Sequence, residues 1–271
     1  MTKFYAPNTR FAHNVHKACR EGDLQFVLEF INSENNQNYL KENPSLSVQM
    51  LIFASMKGHF HICEAIWNAP QLSHFINNIN NSLSLKNLLS KGFDGGNLEV
   101  VEFFQEKLNK KKTSNNQKPL NYNKTITSGL ISASSKGHLA IIKHFFFNET
   151  YSEIIDFEYT TGSILYAACE NNQIQVLQFL LETDGIKEKY DIHKDNDCLF
   201  KLAYENNHTD ILKYLIFNLN IEKTSNIEQH LINRSRSESI NHMFETRELQ
   251  KSLGKELPSN KDNQINKKLK V

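Results

Sequence analysis

Gly129-Leu-Ile-Ser-Ala-Ser-Ser-Lys-Gly-His-Leu-Ala-Ile-Ile-Lys-His-Phe-Phe146 reads as a short helix, a break at Gly137 and a second, more apolar short helix. Degraded copies of this stretch recur along most of the 271 residues. Aligned on the break they fall at Gly22, Gly58, Gly96, Gly137, Asn172 and Asn207, with spacings of 36, 38, 41, 35 and 35 residues. Seven residues before each break stands a large apolar residue: Val15, Leu51, Leu89, Leu130, Leu165, Phe200. Four before it stands a small one: Ala18, Ala54, Gly92, Ala133, Ala168, Ala203. Apolar pairs follow at four and five after the break: Phe26/Val27, Ile62/Cys63, Val100/Val101, Ile141/Ile142, Val176/Leu177, Ile211/Leu212. Eight after it come Phe30, Ile66, Phe104, Phe145, Leu180 and Leu215. Self-similarity at this period is the signature of a repeat array.

The physics of one unit follows from these positions. The large and small residues before the break are i and i+3, so they share one helix face, and the small one lets a neighbour approach. The break is expected to end the first helix in the left-handed conformation, which glycine adopts freely and asparagine tolerates, so Asn172 and Asn207 fit the alignment. The second helix carries the pattern of a half-buried amphipathic helix. Ser128, Ser163 and Asn87, nine before their breaks, are expected N-caps of first helices. Helices this short cannot bury a face alone, so neighbouring pairs must stack into a solenoid.

Ala133-Ser-Ser-Lys-Gly-His-Leu-Ala-Ile-Ile-Lys-His-Phe resembles the helix–turn–helix of the ankyrin repeat family, as do Ala54-Ser-Met-Lys-Gly-His-Phe and Ala18-Cys-Arg-Glu-Gly-Asp-Leu. The resemblance spans roughly residues 13–218. The family's Thr-Pro-Leu-His opening survives only as Ser163-Ile-Leu-Tyr-Ala-Ala, and its acidic or glycine-rich turn finger is not recognisable, so longer irregular loops are expected between copies. The fold class read here is all-α: an ankyrin-like solenoid of about six helix–turn–helix repeats with a C-terminal helical cap.

The organisation expected is a lead-in over 1–12, the array over 13–222, a helical cap over 223–257 and a basic tail over 258–271. The cap carries Ile227, Leu231, Ile232, Ile240, Met243, Phe244, Leu249, Leu253 and Leu257, with Arg234-Ser-Arg-Ser-Glu-Ser positioned to break it in two. A terminal element covering the open face of the last repeat is what a solenoid needs. Three polar connections, Asn32–Ser47, Pro70–Asn87 and Asn109–Thr127, read as long loops.

Composition excludes several function classes. Hydrophobic residues make up 39% of the chain, enough for a core. The net charge of +1 gives no whole-protein drive toward nucleic acid or anionic membrane. The N-terminus lacks the apolar core of a secretory signal, and no run approaches the roughly 20 residues of a membrane span, so a cytoplasmic protein is expected. Cys19, Cys63, Cys169 and Cys198 are widely spaced and form no CxxC pair, which points to a reducing compartment.

No residue set supports catalysis, a metal or a cofactor. A helix would place His59 and Cys63 on one face, but His59 follows the break, as His138 and His208 do, and reads as a turn residue. The competing enzyme reading needs Cys19, with His16 three residues before it, or Cys63 as nucleophile. Lys110–Lys112 could meet phosphate or nucleic acid, but no aromatic residues interleave with it. Gly92, Gly95 and Gly96 lack the strand and the Lys-Ser/Thr that a phosphate cradle needs.

In ankyrin-like arrays the two residues before the break face the concave surface where partners dock. The resemblance therefore implies partner-binding positions at Arg20, Glu21, Met56, Lys57, Asp94, Ser135, Lys136, Glu170, Asn171, Glu205 and Asn206. The function expected is a non-enzymatic, monomeric scaffold that binds another protein, with no small-molecule, nucleic-acid or membrane partner. A narrower expectation is a secreted effector delivered into a host cell cytoplasm, motivated by the divergent repeats, the biased composition and the acidic residues Glu245, Glu248 and Glu256 ahead of the tail.

Overall fold

The structure is a computed structural model that describes residues 7–73, 82–114, 122–148, 151, 157–187, 190–232 and 236–256. Among the described residues every regular element is helical and no strand occurs. The chain divides into two compact units, residues 1–180 and 181–271.

The first unit is built from helix pairs. Their first helices are α1 (Pro7–Glu21), α4 (Pro44–Met56), α6 (Ser82–Gly95), α8 (Tyr122–Ser135) and α10 (Phe157–Glu170). Their second helices are α2 (Leu24–Asn32), α5 (Phe60–Asn68), α7 (Leu98–Ser114), α9 (Leu139–Phe147) and α11 (Ile174–Glu182), the last running two residues past the boundary. An additional helix, α3 (Glu34–Glu42), precedes α4. First helices stack in order, α1 on α4, α4 on α6, α6 on α8 and α8 on α10, while α2 packs on α5 and α5 on α7.

Every break is left-handed. Gly22, Gly58, Gly96 and Gly137 have φ of 83°, 72°, 78° and 76°, and Asn172 and Asn207 have 57° and 63°. The amide after the break then reaches back to the carbonyl of the small helix residue: Asp23 to Ala18, His59 to Ala54, His138 to Ala133 and Gln173 to Ala168, at 2.8–3.0 Å. This six-residue closure satisfies a carbonyl that the helix end would otherwise leave bare. The repeated apolar positions are buried as the pattern requires, with Val15, Leu51, Leu89, Leu130 and Leu165 fully so; Phe26, at half-burial, is the exception. Two glycines serve packing. A side chain at Gly92 would come 3.2 Å from Val100 Cγ1, and one at Gly129 would run into the Phe93 ring.

Several sequence expectations fail for one reason: tertiary burial overrides local propensity. Ser128, Ser163 and Asn87 cap nothing, because they lie inside α8, α10 and α6. The helices start five or six residues earlier and bury Ile126 in α8 and Leu85 in α6. Ser128 instead donates its hydroxyl to the Lys124 carbonyl at 2.8 Å. The stretch Asn32–Ser47 is not a loop: α3 buries Leu40, and Pro44 opens α4, where its missing N–H is harmless. Asn109–Thr127 is largely helix, since α7 continues to Ser114 and α8 begins at Tyr122. Lys110–Lys112 therefore sits on the last turns of α7, and Lys110 pairs with Glu106 one turn back. Pro70–Asn87 holds a single 3₁₀ turn at Pro70–Leu72 and the start of α6, with 74–81 outside the described residues.

The second unit contains α12 (Lys194–Glu205), α13 (Thr209–Lys213), α14 (Ser225–Leu231) and α15 (Ser237–Glu256). Its break at Asn207 closes like the others, His208 N–H to Ala203 at 2.9 Å. Beyond α13 the chain widens into a π turn over Tyr214–Asn218, with Leu219 N–H reaching Tyr214 at 3.1 Å. Thr224 caps α14 by accepting from Ile227 N–H. The helical pattern is interrupted where Arg234-Ser-Arg-Ser-Glu-Ser predicts it: α14 ends at Leu231 and α15 starts at Ser237. α15 buries Ile240, Phe244 and Arg247, one stripe at i, i+4, i+7, with Phe244 against Phe200. Arg247 donates to the carbonyls of Ile216, within the π turn, and Ile221, beyond it, and Arg236 donates to the Tyr204 carbonyl. The expected tail, 258–271, lies outside the described residues.

Inside α12, Asp195, Asn196 and Asp197 all have left-handed backbone, at φ of 53°, 60° and 58°. Asp197 is fully buried and takes one bond from His193 Nδ1 and another from the Thr224 hydroxyl. His230 donates to the Asn196 carbonyl at 3.2 Å.

Candidate functional site

The break turns of the first unit form a row, joined by side-chain bonds from one copy to the next at three of its four junctions. At these three the side chain after the break crosses to the previous copy and donates to the carbonyl two residues before that copy's break. His59 Nε2 reaches the Arg20 carbonyl at 3.0 Å, His138 Nε2 that of Asp94 at 3.2 Å, and Gln173 Nε2 that of Ser135 at 3.3 Å. The crossing ring lies on the previous break: a methyl group at Gly22 would stand 2.9 Å from His59 Cε1, and Gly96 is covered more closely by His138. The break glycine thus meets two demands, positive φ and a neighbour against its Cα. The third copy closes differently. Asn97 caps its own helix, accepting from Val100 N–H at 3.1 Å, and the side-chain-free Gly95 lies against the Ser55 carbonyl.

These bonds consume backbone and leave the pre-break side chains accessible. Arg20, Glu21, Met56, Lys57, Lys136, Glu170 and Asn171 are exposed, and Asp94 and Ser135 are half-buried. Glu205 and Asn206, also exposed, end α12 in the second unit. Asn171 and Asn206 each donate to the carbonyl four residues back, at 2.9 and 3.0 Å.

Several of these residues are engaged within the chain. Lys136 Nζ lies 3.4 Å from Asp94 Oδ1 and donates to the Asp94 carbonyl at 3.1 Å. Asp94 also takes bonds from the Ser132 hydroxyl and from Lys91 at 3.2 Å. Burial alone would raise the Asp94 pKa; the Ser132 bond and the two lysines outweigh it and hold the carboxyl below its ordinary range. Arg20 stacks its guanidinium 4.0 Å over Phe53 of the second copy. Glu21 stands 3.9 Å from Lys17. The Lys57 ammonium makes no hydrogen bond or ion pair among the described residues.

Sequence reasoning placed the row but missed its wiring. Ser132 and Lys91 carried no signal. The crossing bonds had one: from the second copy on, the post-break position is His59, Asn97, His138, Gln173 and His208, always able to donate.

The thiols that the enzyme reading needs are unsuited to it. Cys19, Cys63 and Cys169 are buried. Burial pushes the Cys19 thiol up to about 12, and burial against a weaker opposing bond from Ser55 pushes Cys63 up to about 12 as well. His16 is turned onto the edge of the Phe53 ring at 4.8 Å, and burial together with Arg20 and His13 lowers its pKa. His59 is committed to Arg20. Among the described residues no group of three or more His, Cys, Asp or Glu could hold a metal ion, and no helix is long and apolar enough to cross a membrane.

Stacked helix pairs closed by one recurring turn define a helical repeat protein. Residues 130–227 match the family model for ankyrin repeats over three copies, so this stretch carries ankyrin repeats. The copies at Gly22, Gly58 and Gly96 precede the match and share its left-handed break. Ankyrin repeats are generally protein–protein interaction modules, and the family is typically non-enzymatic. No curated protein and no solved structure matches the chain.

Proposed function

We propose that this chain is a protein-interaction scaffold whose partner docks on the pre-break row, at Arg20, Glu21, Met56, Lys57, Asp94, Ser135, Lys136, Glu170 and Asn171, with Glu205 and Asn206 as the equivalent positions of the last copy. The observation that carries this reading is the division of labour at the turns. Backbone carbonyls and post-break side chains hold neighbouring copies together, while pre-break side chains differ in size and charge from copy to copy and serve no core. Rigid turns that present variable side chains supply a preorganised surface, which lowers the ordering cost of binding.

Crosslinking with a photoreactive amino acid placed at Lys57 tests the reading, with Lys107 on α7 as the control position. Partner adducts from Lys57 and none from Lys107 are expected. Adducts from Lys107 alone would move the site off the row.

A further inference from the structure

We infer that the segment recognised by this row is acidic with an apolar residue beside the acid, and that it docks at the N-terminal end of the row on Arg20, Met56 and Lys57; this rests on the row being the binding surface.

The row holds three cations in the first unit, and the structure treats them differently. Lys136 is compensated within the chain by Asp94. The Arg20 guanidinium lies on the Phe53 ring, a contact that orients it but brings no opposite formal charge. The Lys57 ammonium meets no carboxylate among the described residues. Glu21, the one anion of the first two copies' row, is engaged with another cation, Lys17. Uncompensated positive charge therefore gathers at copies one and two. A partner covering it with neutral groups would strip two cations of water with nothing in return, so carboxylates are the favoured complement. Arg20, held flat and exposed, suits a planar carboxylate, and Lys57 supplies a point charge.

The apolar requirement comes from Met56. It is 39% exposed between these cations and Gly95, the position of the row that carries no side chain. Met56 stands beside Lys57 in the chain, and a flexible, polarisable methionine exposed there adapts to an incoming apolar group. A nucleic acid would use the same cations, but a chain with net charge +1 and no further uncompensated cation on the row offers it little.

The test pans a random dodecapeptide phage library on the full chain and measures the recovered peptides by fluorescence anisotropy. Peptides carrying Asp or Glu next to an apolar residue are expected. Their binding should weaken with added salt and fall at least about tenfold in Lys57→Glu and in Arg20→Glu, while Lys107→Glu on α7 leaves it unchanged. Lys57→Glu removes no internal contact, so its thermal midpoint should match that of the parent and keep the result free of folding effects. Recovery of neutral or basic peptides that Lys57→Glu still weakens would overturn the acidic partner and leave the row standing. Recovery of no peptide, or of peptides indifferent to Lys57→Glu and Arg20→Glu, would overturn both. Mixed-sequence oligonucleotides binding more tightly than any peptide would also sink the acidic-segment inference.

Discussion

The turn at Gly137 and the turn at Asp195–Asp197 both hold backbone at positive φ, and they do so by opposite means. At Gly137 the residue type removes the steric penalty, and the closure is local, from His138 N–H to the Ala133 carbonyl. At Asp195–Asp197 no glycine is present, and three consecutive residues carry a penalty of roughly 1–2 kcal/mol each. What holds that turn is distant in sequence: Thr224 bonds Asp197 and His230 bonds the Asn196 carbonyl, with His193 as the near partner. Local chemistry makes a turn that can be copied six times; tertiary bonding makes one that occurs once.

The sharpest way to break this contrast is Asp197→Ala. It strips both bonds from a buried turn and should destabilise residues 181–271 by about 3 kcal/mol, read by urea denaturation with a probe in that unit. Asp197→Asn keeps the shape and should lose less. A loss below 1 kcal/mol for the alanine variant would mean that the turn is not held by Asp197.

Gly96→Ala attacks the other kind of turn, and a loss of about 2–3 kcal/mol is expected from the left-handed φ plus the encroachment on His138. In a His138→Ala background the same change should cost only the conformational part, about 1 kcal/mol. The non-additivity of that double-mutant cycle measures the crossing contact; strict additivity would show that His138 is not packed on Gly96.

Arg247→Met should lower stability by about 2 kcal/mol, because it keeps the apolar stem on Phe244 but leaves the carbonyls of Ile216 and Ile221 without their donor. Amide exchange at α15 should rise in the same variant.

Asp94 gives the smallest effect. Its pKa is lower in the folded chain than in the unfolded one, so its contribution is present above the ordinary carboxylate range and is lost as pH falls through the folded value. Asp94→Asn should therefore cost about 1 kcal/mol at neutral pH and progressively less on acidification below pH 4. A difference between the two proteins that stays constant down to pH 2 would show that the carboxylate charge is not what Ser132, Lys91 and Lys136 recognise.

How far these features could be read in advance depended on the range of the interaction. Asn172 and Asn207 could be recognised as breaks because asparagine is the best substitute for glycine at positive φ, and both adopt it. The pre-break row followed from register alone. Helix starts did not, because a capping signal at Ser128 is worth less than the burial of Ile126 two residues earlier. Asn35-Asn-Gln-Asn has loop composition, yet α3 forms around the burial of Leu40.

Periodic apolar residues and left-handed breaks are local, repeated demands, so residue order alone specified the helix pairs, their buried faces and the surface they leave free. Which charges on that surface are compensated within the chain was settled only when the copies stacked, since Asp94 and Lys136 stand 42 residues apart and meet through the fold. The same holds for Asp197 with Thr224 and for Arg247 with Ile216: polar pairing at long sequence separation has no period, and it comes into being only once packing has excluded water from both partners.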